Sequence, residues 1–376
     1  MRRLLLKSKK SFFLLGPRQT GKSTLVRSLS PELEINLSDE ETFVQFLKDP
    51  GLLKNTVRNN KTVFIDEIQR IPSLLNTIQF LLDKDKQLRF YITGSSARKL
   101  RRGQANLLPG RTFTYELGPL SPSELSDQFD LNLALSKGML PEIYLEKDDH
   151  TWQKLLRSYS ITYLKEEIQA EALTRNLEGF SRFFEVAASR SGDFIDFSKY
   201  AAQAYIERTS AKRYFEILSD TLVVEPLEAF TKSSKRRLIQ HPKYYFFDVG
   251  VLNGILNNFQ VSPDRIGSLF EHFFLQSILS EFKALDVPVR RSVYRTESGA
   301  EVDFIFEIGT TLFAVEVKAT KNIGSSDLRG LKSFVEFFGK KCIPIIAYNG
   351  DKVLSMENIT IYPVLDAIKY IVKNVS

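Results

Sequence analysis

Over the first third of the chain, short apolar runs alternate with segments in which apolar residues recur at the spacing of a helix. This alternation is typical of a parallel sheet whose strands are joined by helices. The runs predicted to be strands are Ser11–Leu15, Leu33–Leu37, Thr62–Ile65, Leu88–Thr93 and Thr112–Leu117. We therefore predict an α/β domain in this part of the protein.

The pattern changes near Pro119–Asp130, where Ser121 and Glu124 have the spacing of a capping box that begins a helix. Mostly helical segments follow, and Phe197–Leu218 predicts two short helices joined by a turn. Two strand-like runs come next, at Leu222–Phe230 and Arg237–Phe247. Helices followed by a small hairpin favour a winged-helix module.

A further change follows Pro263 and predicts a second, smaller α/β domain. The predicted elements are a helix at Ser268–Phe282, strands at Val302–Glu307 and Leu312–Lys318, a helix at Ser325–Phe338 and a strand at Cys342–Tyr348. The predicted domain ranges are therefore 1–150, 151–250 and 251–376. A length of 376 residues agrees with two or three domains.

Composition narrows the functional classes. A single cysteine, Cys342, excludes an internal disulfide framework and fits a reducing cytoplasm. That cysteine and three scattered histidines do not supply a zinc site. No apolar run is long enough to cross a bilayer and no signal peptide begins the chain, so we expect a cytoplasmic protein without a membrane partner. The net charge of +7 is compatible with a polyanionic partner and equally with an ordinary basic surface.

The most specific motif follows the first predicted strand and matches G-x-x-x-x-G-K-[ST]. In this pattern the backbone N–H groups of the loop point at phosphate oxygens. Lys22 is expected to reach the β- and γ-phosphates, and the Ser23 hydroxyl to bind Mg²⁺. The residues predicted to bind ATP are Gly16, Pro17, Arg18, Gln19, Thr20, Gly21, Lys22, Ser23 and Thr24.

Acidic and hydroxyl side chains at the ends of other strands complete the predicted ATPase site. Asp66 is placed to hold Mg²⁺, and Glu67 to polarise the attacking water. Thr93 would orient that water or sense the γ-phosphate, although a simple turn at the strand end is nearly as good an account. Arg111 has the position from which an arginine reaches the nucleotide of a neighbouring subunit, and an ordinary surface arginine is the alternative.

Several longer segments make the chain resemble a prokaryotic family of AAA+ ATPases fused to a C-terminal domain long regarded as of unknown function. They are FLLGPRQTGKSTL, VFIDEIQ, YITGSS, LPGRTFTYELGPLS, GMLPEIY, KYYFFDVGVLNGIL, GSLFEHFFLQSIL, EVDFIF and VEVKAT. The resemblance implies an N-terminal P-loop AAA+ domain of three layers with a parallel sheet. It also implies a helical, winged-helix-like middle and a C-terminal restriction-endonuclease-like α/β domain of the PD-(D/E)XK type. Met139-Leu140 departs from the family pattern, which leaves the role of the nearby Glu142 in doubt.

Near the C-terminus, Asp303, Glu316 and Lys318 form a D-x₁₂-E-x-K arrangement. Glu316 and Lys318 are two residues apart on a strand and so share a face of the sheet. The carboxylates of Asp303 and Glu316 are candidate Mg²⁺ ligands, Lys318 would stabilise the attacking hydroxide or the phosphate, and Glu271 would complete the site. An ion pair in a purely structural sheet is the competing interpretation.

Basic residues suggest where nucleic acid would lie. Arg290, Arg291 and Arg295 flank Tyr294, and a denser basic run occupies Lys232–Arg237. Both groups suit a phosphate backbone, DNA more than RNA, and both are equally compatible with a solvated surface.

The leading hypothesis is an ATP-driven switch that controls a nuclease-like, DNA-interacting module. Two alternatives stay open. In one, the C-terminal half is an inactive protein-interaction or regulatory module. In the other, the protein is a signalling scaffold that forms homo-oligomers with ATP.

Overall fold

The computed structural model describes residues 10–95, 108–170, 176–230, 241–339 and 341–374, with the side chains of residues 162–170 excepted. Two compact units divide the chain. The first comprises residues up to Gly118 together with Asp220–Val223 and Lys283–Asp286, and the second comprises the rest. No helix in the described ranges combines the length and apolarity that a membrane crossing requires.

The first unit contains a parallel sheet of five strands in the order β2-β3-β4-β1-β5. Its strands are β1 (Ser11–Leu15), β2 (Leu33–Asn36), β3 (Thr62–Asp66), β4 (Arg89–Gly94) and β5 (Thr112–Glu116). Its helices are α1 (Lys22–Arg27), α2 (Glu40–Lys48), α3 (Leu53–Thr56) and α4 (Leu74–Lys84). The predicted strands and their parallel arrangement are confirmed, with end points that differ by at most one residue.

Burial on both faces explains why these strands are continuous apolar runs. On β1, Phe13 and Leu15 belong to one buried cluster, whereas Phe12 and Leu14 belong to the cluster on the opposite face. A parallel sheet covered on both faces needs apolar side chains at successive positions rather than at alternate ones. Because β3, β4 and β1 are neighbours and parallel, the residues that follow them meet at one edge of the sheet.

The second unit begins with helices and continues into a mixed sheet. The helices preceding the sheet are α5 (Pro122–Leu125), α6 (Leu131–Lys137), α7 (Pro141–Leu145), α8 (Asp149–Ala170), α9 (Leu177–Ser189), α10 (Phe197–Ala204) and α11 (Arg208–Asp220). Helix α5 begins where predicted, because the Ser121 N–H donates to Glu124 Oε2 at 2.9 Å. Two short helices, α10 and α11, occupy the predicted segment Phe197–Leu218.

Eight strands form the sheet of the second unit, in the order β12-β13-β11-β10-β9-β8-β6-β7. They are β6 (Val224–Ala229), β7 (Lys243–Phe246), β8 (Arg290–Arg295), β9 (Glu301–Ile308), β10 (Thr311–Lys318), β11 (Cys342–Tyr348), β12 (Leu354–Met356) and β13 (Ile359–Pro363). The accompanying helices are α12 (Val249–Ile255), α13 (Ile266–Leu285), α14 (Arg329–Phe338) and α15 (Val364–Lys373). The strands and helices predicted after residue 263 are present.

The predicted hairpin does not stand apart from this sheet. Strand β6 pairs antiparallel with β7 and parallel with β8, so the sheet continues across residue 250. This pairing satisfies backbone groups that an isolated two-stranded hairpin would leave exposed along its edge. The basic run Lys232–Arg237 lies outside the described residues.

Apolar clusters cover both faces of the second sheet. Phe304 and Phe306 of β9 pack with residues of α13 and α15 on one face. Ile305 of the same strand belongs to the opposite cluster, with residues of α14. The helices therefore enclose β9 and β10, and polar side chains on these central strands require partners within the protein.

A fully buried carboxylate, Asp248, fixes the start of α12. Its oxygens accept hydrogen bonds from the Met139 N–H at 2.7 Å, the Val251 N–H at 3.0 Å and the Gln276 side chain at 2.9 Å. A Cβ at Gly250 would lie 1.8 Å from the Lys137 carbonyl oxygen, so this close contact requires glycine. The motif D-V-G thus joins α12 to the segment that follows α6.

Burial raises the pKa of Asp248 to about 6, from an ordinary value of 3.8. The folded chain therefore keeps this proton at pH values where the unfolded chain has released it. Stability from this group is present below about pH 4 and is lost as the pH rises to about 6. We expect the advantage of wild type over Asp248→Ala in free energy of unfolding to shrink by about 3 kcal/mol between pH 4 and pH 7.

Urea unfolding of the two proteins at several pH values measures this difference. An advantage that grows with pH would instead show that the three donors hold Asp248 ionised, and would contradict the prediction.

Candidate functional sites

The phosphate loop requires glycine at two of its positions. A Cβ at Gly16 would lie 2.2 Å from the Leu117 carbonyl oxygen, and Gly21 has φ 87° just before α1. Gln19 also has a positive φ, of 61°. These turns curl the chain between β1 and α1, as the motif predicts.

Lys22 is folded back onto the loop itself. Its Nζ donates to the carbonyl oxygens of Gly16 at 2.9 Å and Pro17 at 2.7 Å, and the residue is buried. The Thr20 hydroxyl also donates to the Pro17 carbonyl, at 3.0 Å. The ammonium is therefore held at the centre of the loop by weak neutral acceptors, which a phosphate oxygen would outcompete.

Hydroxyl groups from two other elements converge on Asp66 at the end of β3. Ser23 Oγ donates to Asp66 Oδ1 at 2.9 Å, and Thr93 Oγ1 donates to the same oxygen. An arginine, Arg27, places Nη2 3.9 Å from Asp66 Oδ2. Hydroxyl and carboxylate oxygens are the ligands that Mg²⁺ prefers, so this set of donors fits the predicted ion.

Glu67 follows Asp66 in a left-handed backbone conformation, with φ 61° and ψ 44°. Its N–H donates to Thr93 Oγ1 at 3.3 Å. Left-handed conformations of non-glycine residues cost about 1–3 kcal/mol and cluster at functional sites. The strained turn sends the Glu67 side chain away from the direction that β3 would give it.

Sequence reasoning missed Gln69, which contacts the Glu67 side chain directly. Gln69 Nε2 donates to Glu67 Oε2 and also to Ser95 Oγ, the latter at 3.2 Å. The amide is buried, and its Oε1 has no hydrogen-bond partner. The signal in the sequence was a polar residue two positions after the acidic pair.

Arg111 does not approach the loop in the single chain. Its Nε and Nη2 donate to the two carboxylate oxygens of Asp83 on α4, at 2.7 and 3.0 Å. This bidentate pair lies on the surface. The action of Arg111 on a neighbouring subunit stays a prediction.

In the second unit, Asp303 on β9 and Glu316 on β10 lie on neighbouring strands and are both buried. Lys318 Nζ donates to Glu316 Oε1 at 2.7 Å, and the Val317 N–H donates to Asp303 Oδ2 at 2.8 Å. Glu316 Oε2 is buried without a hydrogen-bond partner. The ion pair of Glu316 with Lys318, which the competing interpretation of a structural sheet predicted, is therefore present, and the metal site stays a prediction.

Two further acids belong to the same cluster, and we name these four side chains the carboxylate cluster: Glu271, Glu301, Asp303 and Glu316. Burial, with the charges of Glu316 and Glu271, raises the pKa of Asp303 well above its usual range. Burial also raises the pKa of Glu316 to about 6, although Lys318 opposes the rise. Glu271 and Glu301 add to that rise, which shows that the four acids repel one another.

Residues of β7 complete this site and were not found by sequence reasoning. Lys243 Nζ lies 2.8 Å from Glu301 Oε1 and 3.5 Å from Glu271 Oε1, and the Tyr245 hydroxyl donates to Glu271 Oε1. Across the described ranges, no three histidine, cysteine or acidic side chains are arranged to hold a metal ion. The cluster thus offers Glu316 Oε2 to a cation without presenting a prepared set of ligands.

The structure also locates the remaining residues that the sequence singled out. Tyr294 is buried against Phe334, with ring centroids 5.0 Å apart, so the prediction that it lies beside a nucleic-acid backbone is wrong. Arg291 pairs with Glu225 at 2.6 Å. Met139 is buried and Glu142 is exposed in the first turn of α7.

Comparisons with known proteins give matches along most of the chain. Family models match residues 8–126 (an AAA domain), 128–262 (domain of unknown function DUF8612) and 266–366 (domain of unknown function DUF4143). An uncharacterized protein of Mycobacterium tuberculosis is 26% identical over 367 residues, which cover 92% of this chain and 81% of the relative. An uncharacterized protein of Methanocaldococcus jannaschii is 24% identical over 216 residues, covering 51% of this chain and 48% of the relative.

Two solved structures align weakly. AMPPCP-bound DnaA from Aquifex aeolicus aligns at 12% identity with a TM-score of 0.28, covering 58% of this chain and 85% of that chain. Protein VC1899 from Vibrio cholerae aligns at 10% identity with a TM-score of 0.25, covering 97% and 98%. TM-scores this low do not establish a shared fold. The matched family model and the geometry of the phosphate loop agree that the N-terminal part of the chain is an AAA-type, nucleotide-binding domain.

Proposed function

We propose that this protein is a Mg²⁺-dependent ATPase whose cycle controls a DNA-interacting, nuclease-like module in its second unit. The observation that supports the ATPase most directly is the convergence of Ser23 and Thr93 on Asp66. Lys22 and Ser23 come from helix α1, Thr93 comes from strand β4, and Asp66 comes from the end of strand β3. Phosphoryl transfer requires this combination of positive charge and oxygen ligands.

ATP binding begins with an exchange of partners at Lys22. The ammonium leaves the carbonyl oxygens of Gly16 and Pro17 for the β- and γ-phosphates, while N–H groups of the curled loop approach the same oxygens. Ser23 and Asp66 would hold Mg²⁺, which would neutralise negative charge on the phosphates. The loop thus keeps its backbone conformation while Lys22 exchanges carbonyl oxygens for phosphate oxygens.

Hydrolysis then requires a water aligned with the γ-phosphorus. Glu67 accepts a proton from this water as its oxygen bonds to phosphorus, and the bond from phosphorus to the β,γ-bridging oxygen breaks to give ADP and phosphate. Gln69 orients the Glu67 carboxylate through their hydrogen bond, and Thr93 fixes the backbone N–H of Glu67. For Arg111 to act on a neighbouring copy, its guanidinium must leave Asp83 and contact the γ-phosphate bound to that copy.

Two substitutions separate binding from turnover. Lys22→Ala should abolish nucleotide binding and phosphate release together, because it removes the cation that contacts the phosphates. Glu67→Gln should bind ATP normally and release phosphate at least ~100-fold more slowly, since it loses only the base. Fluorescent-nucleotide titration and phosphate release measure the two effects, with the exposed Lys48→Ala as a control. Normal turnover in Lys22→Ala would refute the assignment of the loop.

The DNA-binding part of the proposal rests on α10 and α11. A short turn, 205–207, joins them, and Tyr205 in this turn is 82% exposed. Ala211, Tyr214, Phe215 and Leu218 anchor one side of α11 in the core. The geometry resembles a helix-turn-helix, in which the second helix presents its exposed side to the major groove.

Charge distinguishes the exposed side of α11 from its surroundings. Arg208, Lys212 and Arg213 are exposed, and none has an ion-pair partner in the described part of the chain. Nearby cations are paired: Arg182 with Glu178, Arg190 with Asp193 and Lys199 with Asp196. Three unpaired cations on one rigid helix are suited to phosphate contacts.

Replacing these three cations tests the interface. The triple variant Arg208→Gln, Lys212→Gln, Arg213→Gln should bind duplex DNA more weakly. The negative slope of log association constant against log salt concentration should become smaller in magnitude by up to about 3. The matched control is Arg182→Gln, Arg190→Gln, Lys199→Gln, which should bind like wild type because those cations are already neutralised. Fluorescence anisotropy over a range of salt, with RNA of the same sequence in parallel, provides the measurement. Equal effects of the two triple variants would exclude α11 as the interface.

A metal-dependent nuclease is favoured by the unpartnered Glu316 Oε2 next to Lys318. Asp303 and Glu316 would hold Mg²⁺ together with phosphate oxygens of the substrate, since Mg²⁺ commonly takes only one or two protein carboxylates. The metal would neutralise charge on the scissile phosphate, and Lys318 would stabilise the attacking hydroxide. Glu271 and Glu301 would stay at the edge of the site.

Cleavage of single- and double-stranded DNA and RNA with Mg²⁺ or Mn²⁺, with and without ATP, tests this activity. The expected outcome is cutting by wild type that falls at least ~100-fold in Glu316→Ala, with ATP turnover unchanged. If neither metal supports cutting of any substrate, the second unit is an inactive interaction or regulatory module instead.

A further inference from the structure

A lysine side chain occupies the acidic interior of the second unit. Lys243 enters from β7 and is only 4% exposed. Its Nζ contacts Glu301 Oε1 at 2.8 Å and Glu271 Oε1 at 3.5 Å. Lysine is almost never buried this fully unless it is paired, because the ammonium loses its hydration.

The ammonium stays charged in this position. Burial alone lowers the pKa of Lys243, but the carboxylates of Glu271, Asp303 and Glu301 together raise it above its ordinary value. Lys243 therefore supplies a permanent positive charge within the carboxylate cluster. The ammonium also lies over the Phe194 ring, with Nζ 4.9 Å from the ring centroid, which helps to fix the direction of the side chain.

Most oxygens that a metal would need are already engaged. Lys243 forms ion pairs with Glu271 and Glu301. The Val317 N–H donates to Asp303 Oδ2, and Lys318 donates to Glu316 Oε1. Glu316 Oε2 is nevertheless buried without a partner, which marks an incompletely satisfied site. A second cation would be attracted to that oxygen and repelled by the Lys243 ammonium.

We propose that Lys243 is a resident cation of the carboxylate cluster, in addition to Lys318, and that a divalent metal binds there only when the Lys243 ammonium moves out. The Lys243 ammonium and the metal then compete to supply the positive charge near Asp303. Lys243 is thus a residue that regulates access to the site. This inference concerns cation binding and holds whether or not the cluster cleaves nucleic acid.

Lys243→Gln removes the competing charge while keeping a side chain of similar length. We expect it to bind Mn²⁺ at least tenfold more tightly than wild type, measured without nucleotide by calorimetry and by the Mn²⁺ electron paramagnetic resonance signal. Adding Glu316→Gln should abolish the gain, which assigns it to this cluster rather than to the ATP site. Lys199→Gln is the matched control, because Lys199 is an exposed lysine paired with Asp196 at 4.0 Å. Equal Mn²⁺ affinity in wild type and Lys243→Gln would overturn the proposal.

Lys243→Gln removes the ammonium that contacts Glu271 and leaves Glu301 with Arg295, at 3.6 Å. We expect this variant to unfold more readily, so a measurement on wild type supports the test. Acetylation of lysines by a water-soluble ester, quantified by mass spectrometry, reports exposure of each ammonium. Saturating Mn²⁺ should increase the modification of Lys243 severalfold and leave that of Lys199 unchanged. Mn²⁺ that binds the cluster without changing the reactivity of Lys243 would refute the competition.

Discussion

A carboxylate removed from water must find hydrogen-bond donors or a cation, and this constraint governs the arrangement of both units. Asp66 is satisfied by hydroxyl groups from α1 and β4, so the end of β3 is tied to its neighbours. Asp248 is satisfied by backbone and amide donors that fix α12. The carboxylate cluster is satisfied in part by lysines, and that partial satisfaction distinguishes it from the other two.

Local patterns predicted the elements and the phosphate loop. The continuous apolar runs identified strands covered on both faces, and the glycines at 16 and 21 identified turns that exclude a side chain. These features depend on a few consecutive residues, so they can be recognised from the sequence. The nature of the first site follows from them because β1, β3 and β4 are neighbours.

Features that depend on distant contacts were not predicted. Nothing next to Lys243 in the sequence indicates that its ammonium reaches Glu301, which lies on another strand of the folded sheet. Tyr294 has basic neighbours in sequence, yet β8 is buried at three successive positions, 292–294, so the ring lies in the core. Gln69 was overlooked because its role depends on the strained turn at Glu67 rather than on its position in a motif.

Strand β7 lies at the outer edge of the second sheet and contains only four residues. It pairs with β6 on one side, and on the other it has the isolated bridge between Phe194 and Lys243 and a hydrogen bond from the Gly192 N–H to the Tyr244 carbonyl at 2.9 Å. An edge strand can separate from its sheet with the loss of fewer hydrogen bonds than a central strand, because only one side is fully paired. The charge that neutralises the buried acids is therefore attached to an edge strand, and a displacement of this strand would change the electrostatics at the centre of the sheet.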